Sequence, residues 1–193
     1  MTTEKKKPIV LNGPSGSGKS FLLRHLMKKY PGKFSFSISH TTRQPRKGEK
    51  HGVHYYYVSK EKFQELKDDN QFIEHATVHG NMYGTSIQAV RDVQSQGKIA
   101  VLDVNIDGAL SISKTDLKPR LMFVKPPSWE LLEKRLRGRN TETEEQIETR
   151  LNTAKKEMKW VEEHSDFYHH IIINDNVDNA IQQLSDILEE DLD

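Results

Sequence analysis

The sequence predicts an α/β chain, with a parallel sheet flanked by helices, from three observations. A short apolar run, Pro8-Ile9-Val10-Leu11-Asn12, ends in a Gly-rich turn and passes at once into helical periodicity. Apolar runs that suit buried strands then alternate with helical patterns along most of the chain, as strands joined by crossover helices require. One stretch, from Ser35 to Tyr83, replaces that alternation with short β-like runs and so predicts a small inserted α+β region.

Taken in order, the first strand is the apolar run at Pro8–Asn12. From Gly18 to Lys29 the residues Phe21, Leu22, Leu23, Leu26 and Met27 recur at helical spacing, and Pro31-Gly32 stops the helix. Lys98–Asp103, Arg120–Val124 and His170–Asn174 predict further buried strands, and helices are predicted over Ser86–Gln96, Trp129–Gly138, Glu144–Glu163 and Val177–Leu188. Inside the inserted region, β-like runs cover Phe36–Ser39, Val53–Val58 and Phe72–His79, with a helix at Lys60–Asp69. A second insertion, dense in charge, runs from about Arg137 to Lys159.

Composition narrows the function classes. The 193 residues suit one compact domain with small insertions. A formal net charge of +1 gives no global attraction to nucleic acid, so anion binding has to come from local clusters. The absence of cysteine excludes disulfides, thiolate metal sites and a cysteine nucleophile. No run approaches the roughly 18 apolar residues of a membrane span, and the basic start Met1–Lys7 has no apolar signal core behind it. The expectation is a cytoplasmic protein.

Gly13-Pro14-Ser15-Gly16-Ser17-Gly18-Lys19-Ser20 carries the chemistry. It matches G-x-x-x-x-G-K-[ST] between a predicted strand and a predicted helix. Glycines let such a loop turn its backbone N–H groups toward phosphate oxygens, and the positive end of the following helix adds to the attraction. Lys19 is expected to reach the β- and γ-phosphates of ATP, and Ser20 to bind Mg²⁺. Asp103 ends an apolar strand, where ligands of this fold class sit, and is the candidate carboxylate near Mg²⁺, acting through water.

Further motifs narrow the class. They are Ser39-His40-Thr41-Thr42-Arg43-Gln44-Pro45-Arg46, then Gly48-Glu49, Gly52-Val53-His54-Tyr55, Phe72-Ile73-Glu74 and Gly80-Asn81-Met82-Tyr83-Gly84-Thr85-Ser86. Pro126-Pro127-Ser128 and Arg139-Asn140-Thr141-Glu142-Thr143-Glu144-Glu145 follow. In order and spacing the chain resembles the guanylate kinase family from about Pro8 to Leu188, and its Asn-Thr-Glu-Thr-Glu-Glu run resembles the eukaryotic branch. The resemblance implies a P-loop NTPase core at residues 1–38, 87–136 and 160–193, a GMP-binding region at 39–86 and a helical lid at 137–159. It implies reversible phosphoryl transfer from MgATP to GMP, and to dGMP, by a monomer that binds neither nucleic acid nor membrane.

On that reading Arg43 and Arg46 clamp the phosphate of GMP with their guanidinium forks, and the hydroxyls of Tyr55 and Tyr83 join them. Guanine carries two adjacent donors, N1–H and the 2-amino group; Glu74 can accept both, while adenine offers no such pair. Ser39 and Thr85 match positions that bond the base, and Asp103 and Asn105 complete the GMP set. Arg135, Arg139 and Arg150 match the family's phosphate-contacting arginines, able to stabilise charge as the phosphoryl group leaves. Arg137 is expected to face solvent, and Glu142, Glu144, Glu145 and Glu148 to support an exposed helix. Asn174 and Asp175 resemble the region beside adenine. The histidines show no metal-ligand spacing.

The chain departs from the family pattern at Asn105 and Asp107, where relatives often carry Asp and Gln. Asn105 keeps an amide oxygen as acceptor without the charge. Two other readings compete: a non-catalytic guanylate-kinase-like protein-binding module, and a kinase for AMP, dGMP or a pyrimidine monophosphate. The intact Lys19, Ser20, Asp103, Arg43, Arg46 and Glu74 oppose the first, and Glu74 opposes the bases other than guanine in the second.

Overall fold

The computed structural model describes residues 6–78, 80–138 and 143–192. Strand β1 (Ile9–Asn12) leads into helix α1 (Lys19–Lys29). Strands β2 (Phe34–Phe36), β3 (His40–Thr41) and β4 (Tyr56–Tyr57) precede α2 (Lys60–Asp68), β5 (Phe72–Val78) and β6 (Asn81–Ser86). Then come α3 (Ile87–Ser95), β7 (Ile99–Asp103), α4 (Ile106–Ser113), β8 (Arg120–Lys125) and α5 (Trp129–Arg137). The chain ends with α6 (Glu144–Glu163), β9 (His170–Ile173), α7 (Val177–Ile187) and the short α8 (Glu189–Leu192). The elements fall into two units, one from residues 1–8 and 34–119, the other from 9–33 and 120–193.

The unit that holds the Gly-rich loop is built on β1, β8 and β9, all parallel, with Ile9 opposite Arg120 and Met122 opposite His170. Ile9, Val10 and Leu11 are fully buried, as are Met122, Phe123 and Val124. That continuous apolar run is what a parallel strand covered on both faces needs. Helix α1 buries Leu22, Leu23 and Leu26, and α7 buries Ala180 and Leu184. A separate cluster of Leu132, Leu136, Ile147, Leu151 and Ala154 joins α5 to α6. Helix α6 opens with a capping box: the Thr143 hydroxyl accepts the Gln146 N–H, and the Gln146 side chain accepts the Thr143 N–H.

In the other unit β2 and β7 form a parallel pair. A four-stranded sheet runs in the order β4-β3-β6-β5. Helix α2 inserts Phe63 beneath this sheet, where its ring meets Phe72 at 4.5 Å. Gly84 in β6 makes room for both: a Cβ there would lie 2.8 Å from Phe72 and 3.1 Å from Phe63. The run expected at Phe36–Ser39 divides. Phe34–Phe36 pairs with β7, and the next strand, His40–Thr41, pairs with β6. Strand β6 and helix α4 were not evident in the sequence. Asn81, Gly84 and Ser86 lower the β-propensity of the first, and pairing with two neighbours overrides it. Gly108 in the first turn of α4 breaks helical patterning, and Asn105, its N-cap, restores the start.

Candidate active site

The loop site grows out of β1. Gly13 has φ 141° and a Cβ there would lie 2.3 Å from the Val124 carbonyl oxygen, so only glycine lets the chain leave the strand this close to β8. Gly18 caps α1 in the left-handed region at φ 96°, and a Cβ would lie 2.2 Å from Nδ2 of Asn174. That amide is 3% exposed and donates to the Ser17 carbonyl at 2.8 Å. Asn174, expected beside adenine, therefore braces the back of the loop, while Asp175 is exposed and accepts from the Asn176 N–H.

Lys19 directs Nζ back over the loop, donating to the carbonyls of Gly13 and, at 3.4 Å, Pro14. Ser20 is exposed in the first turn of α1. Arg135 reaches the Gly16 carbonyl at 3.4 Å, and Arg150 reaches the Ser15 hydroxyl at 3.1 Å. Two of the three predicted arginines thus converge on the loop; Arg139 lies outside the described residues. Arg137 takes a different part. It bonds Glu133 at 2.8 Å, Glu148 at 3.2 Å and Glu144, joining α5 to α6. Burial holds the carboxyl of half-buried Glu157 above its usual range, opposed by the charge of Lys19. Its only sequence signal was a carboxylate on the buried stripe of α6, three residues after Ala154 and four before Val161.

The second site belongs to the other unit. Between Phe72 and Glu74 the β5–β6 register shifts: Phe72 faces Ser86, and Glu74 faces Thr85. In a regular ladder Ile73 would face Thr85, and Glu74 would share the face of Phe72, toward α2. The bulge re-aims the carboxylate to the opposite face, where the Thr85 hydroxyl donates to Glu74 Oε1 at 3.3 Å and lies 3.3 Å from the Ser39 hydroxyl. Ser39, Glu74, Tyr83, Thr85 and Asn105 line a cavity of 380 Å³. Burial raises the pKa of Glu74, the Thr85 hydrogen bond opposes the rise, and the charge of Asp103 adds to it. Asp103 itself is exposed at the end of β7.

Near this cavity Arg43 is clamped. Both its terminal nitrogens bond the Glu49 carboxylate at 3.0 Å. Glu49 also accepts the Arg46 backbone N–H at 2.7 Å and the Tyr57 hydroxyl at 2.8 Å. The Arg43 side chain and the Arg46 amide bring the Glu49 carboxyl down to about 2. The same pairing raises Arg43, and a hydrogen bond with Tyr83 contributes. The Arg43 guanidinium lies 5.4 Å from the Tyr55 ring and 5.9 Å from the Tyr57 ring. The predicted Arg43, Tyr55 and Tyr83 come together, whereas the Arg46 side chain is exposed. Glu49 and Tyr57 had no part in the predicted site; the spacing of Glu49 from the two arginines was the available signal.

Among the described residues no group of three or more His, Asp or Glu side chains converges as a metal site. A divalent metal bound with nucleotide would draw its remaining ligands from phosphate oxygens and water. The loop fits such an arrangement: Gly13 and Gly18 hold it so close to Val124 and Asn174 that a Cβ would not fit, and exposed Ser20 stands at its end. A glycine-rich loop opening a helix, two arginines on that loop, and a cavity with a carboxylate and an arginine clamp suit a nucleotide-binding kinase of the α/β class.

Comparison with known proteins fixes the family. The guanylate kinase family model matches residues 5–191. The guanylate kinase of Sus scrofa is 50% identical over 186 residues, which cover 96% of this chain and 93% of the pig protein. Guanylate kinase 1 of Oryza sativa subsp. japonica is 46% identical over 188 residues, and there the chain spans about half the relative, 49% of its length. A crystal structure of guanylate kinase from Anaplasma phagocytophilum superposes with a TM-score of 0.61 at 28% identity, covering 98% of this chain and 88% of that one. The chain belongs to the guanylate kinase family, whose reaction is phosphoryl transfer to GMP.

Proposed function

We propose that this protein transfers the γ-phosphoryl group of MgATP to GMP, and to dGMP, with the residues above in definite roles. A phosphate oxygen of GMP attacks the γ-phosphorus; that P–O bond forms as the bond to the bridging oxygen of ADP breaks. GMP supplies the nucleophile, so positioning and charge stabilisation are what the protein must provide. Gly13 to Ser20 cradle the phosphates of ATP, Lys19 neutralises charge on the transferring group, and Arg135, Arg139 and Arg150 stabilise charge spread over its oxygens. Ser20 would hold Mg²⁺ together with the phosphates, with Asp103 as the carboxylate serving it; the metal would supply Lewis-acid charge. Asn174 acts from behind the loop.

GMP is bound in residues 39–86, with residues 137–159 as the lid over ATP. Arg43, Arg46, Tyr55 and Tyr83 take its phosphate, and Ser39, Glu74 and Thr85 its base. The observation that carries this reading is the half-buried Glu74 carboxylate in a cavity beside an arginine–tyrosine clamp. A purine with two adjacent donors satisfies such an acceptor; adenine leaves it unpaired, which a partly buried carboxylate tolerates poorly. The +1 net charge favours free nucleotides over nucleic acid as substrate. We assign the protein to the cytoplasm as a monomer.

The test is a coupled ADP-release assay over GMP, dGMP, AMP, CMP and UMP. Turnover is expected with GMP and dGMP, at least about a hundredfold above AMP in kcat/KM, the scale on which unpaired site groups reject an analogue. Equal turnover of AMP would remove the guanine assignment, and no turnover of any would favour a binding module.

A further inference from the structure

The side chain of Asn105 does two things at once. Its Oδ1 accepts the Gly108 N–H at 2.8 Å and so caps α4. It also lines the cavity that holds Glu74. The cap fixes which way the amide faces, because turning it over would set Nδ2–H against the Gly108 N–H, donor against donor. The atom left without a partner among the described residues is Nδ2, which can only donate. Gly108 also locates this donor relative to Glu74: a Cβ on Gly108 would lie 3.1 Å from Glu74 Oε2. The carboxylate and the amide therefore flank one glycine, an acceptor and a donor on adjacent parts of one cavity wall.

A 6-oxopurine whose N1–H is taken by Glu74 turns its C2 substituent toward the next group on that wall. If that substituent is an amino group, one of its hydrogens can reach Glu74 and the other meets a donor. If it is hydrogen, as in IMP, nothing is mismatched. If it is an oxo group, as in XMP, it can accept from Nδ2. We propose that Asn105 is a specificity-determining residue that withholds an acceptor from the 2-amino group. The chain then phosphorylates 6-oxopurine nucleoside monophosphates with weak regard for what C2 carries. The inference rests on the guanine site proposed above.

The experiment measures kcat/KM for GMP, IMP and XMP in the native protein, Asn105→Asp and Asn105→Ser. Asp and Ser are both good N-caps, so thermal melting should show that α4 and the fold are kept. Asn105→Asp supplies a second oxygen beside the capping one. It should raise the GMP:IMP ratio by at least about tenfold and lower XMP, the size of one hydrogen bond to a charged group. Asn105→Ser keeps the cap and takes away Nδ2, leaving only a hydroxyl held at the capping position on a shorter side chain; it should lower XMP about fivefold and leave the GMP:IMP ratio within twofold. A GMP:IMP ratio in Asn105→Asp within twofold of the native value overturns the proposal, as does an unchanged XMP rate in Asn105→Ser. Failure of the native protein to use GMP at all removes the site reading itself, so the two failures are separable.

Discussion

The loop half and the cavity half of this protein hold their charges in opposite ways. In the cavity half the principal cation arrives already paired. Arg43 is gripped by both oxygens of Glu49, and Glu49 is tied in turn to the Arg46 amide and the Tyr57 hydroxyl. In the loop half the cations also reach weaker acceptors. Lys19 and Arg135 donate to backbone carbonyls and Arg150 to the Ser15 hydroxyl, while the charge of Lys19 is felt by half-buried Glu157. A carboxylate partner of the strength of Glu49 would compete with a phosphate. A carbonyl or hydroxyl gives way to one, because a cation bonds an ionised acceptor more strongly than a neutral one. The clamp is thus built to keep its geometry, and the loop to surrender these carbonyl and hydroxyl contacts to nucleotide.

The sharpest break of that contrast is Lys19→Met. It removes charge where the transferring group develops it, and kcat should fall at least about a hundredfold. Circular dichroism and thermal melting should show an intact fold. Arg43→Met comes next. Loss of one charged, bidentate contact of about 2 kcal/mol should raise KM for GMP about thirtyfold, with KM for ATP unchanged. A large rise in KM for ATP would show that the two halves do not divide the substrates as drawn.

Glu74→Gln is smaller and carries a pH signature. Burial raises the pKa of Glu74, so the carboxylate form that guanine needs is present above that raised value and lost as pH falls through it. KM for GMP should therefore climb on the acid side at a pH above the ordinary carboxylate range. In Glu74→Gln the climb should vanish, with KM for GMP about tenfold higher throughout and a narrower GMP:AMP ratio. For stability the sign reverses: the raised pKa favours the folded state at low pH, and that contribution fades as pH rises from 4.5 through the folded value.

Glu49 gives the smallest effect and the opposite profile. Its pKa is lowered to about 2 from 4.5, so its contribution is complete above 4.5 and lost only as pH falls toward about 2. Glu49→Gln should raise KM for GMP about threefold, as a weaker partner holds Arg43 less firmly. The acid limb owed to Glu74 should remain. If that limb disappears in Glu49→Gln, the clamp and the base pocket titrate as one unit.

The two halves also differed in how far the sequence revealed them. The loop is local in the chain: eight consecutive residues between a strand and a helix define it, and Gly13, Gly18 and Lys19 stand where the pattern places them. What stayed hidden there came from a distance, such as the Asn174 amide bracing Ser17 across 157 positions. The cavity is assembled from separated segments, and Glu74, Thr85 and Ser39 were legible only through the resemblance of their motifs to a known family. Periodicity could not show β6, whose residues favour turns until neighbouring strands pair with it. Nor could it show α4, whose cap changes what Asn105 offers. Glu49 looked like surface charge because its value lies in a fold-back of the chain, with Tyr57 eight residues away.

The bulge at Phe72–Glu74 has an evolutionary side. Because side chains alternate across a strand, the facing of the Glu74 carboxylate depends on how many residues precede it in the ladder as well as on its identity. A residue gained in β6 opposite Ile73 would make the ladder regular, leave every recognition residue in the chain and turn the carboxylate to the face of Phe72, toward α2. Substitution is thus only one route by which such a lineage can lose or exchange its base preference. A change in length is another, and it would leave a descendant that retains the family's signature letters after its nucleotide has changed.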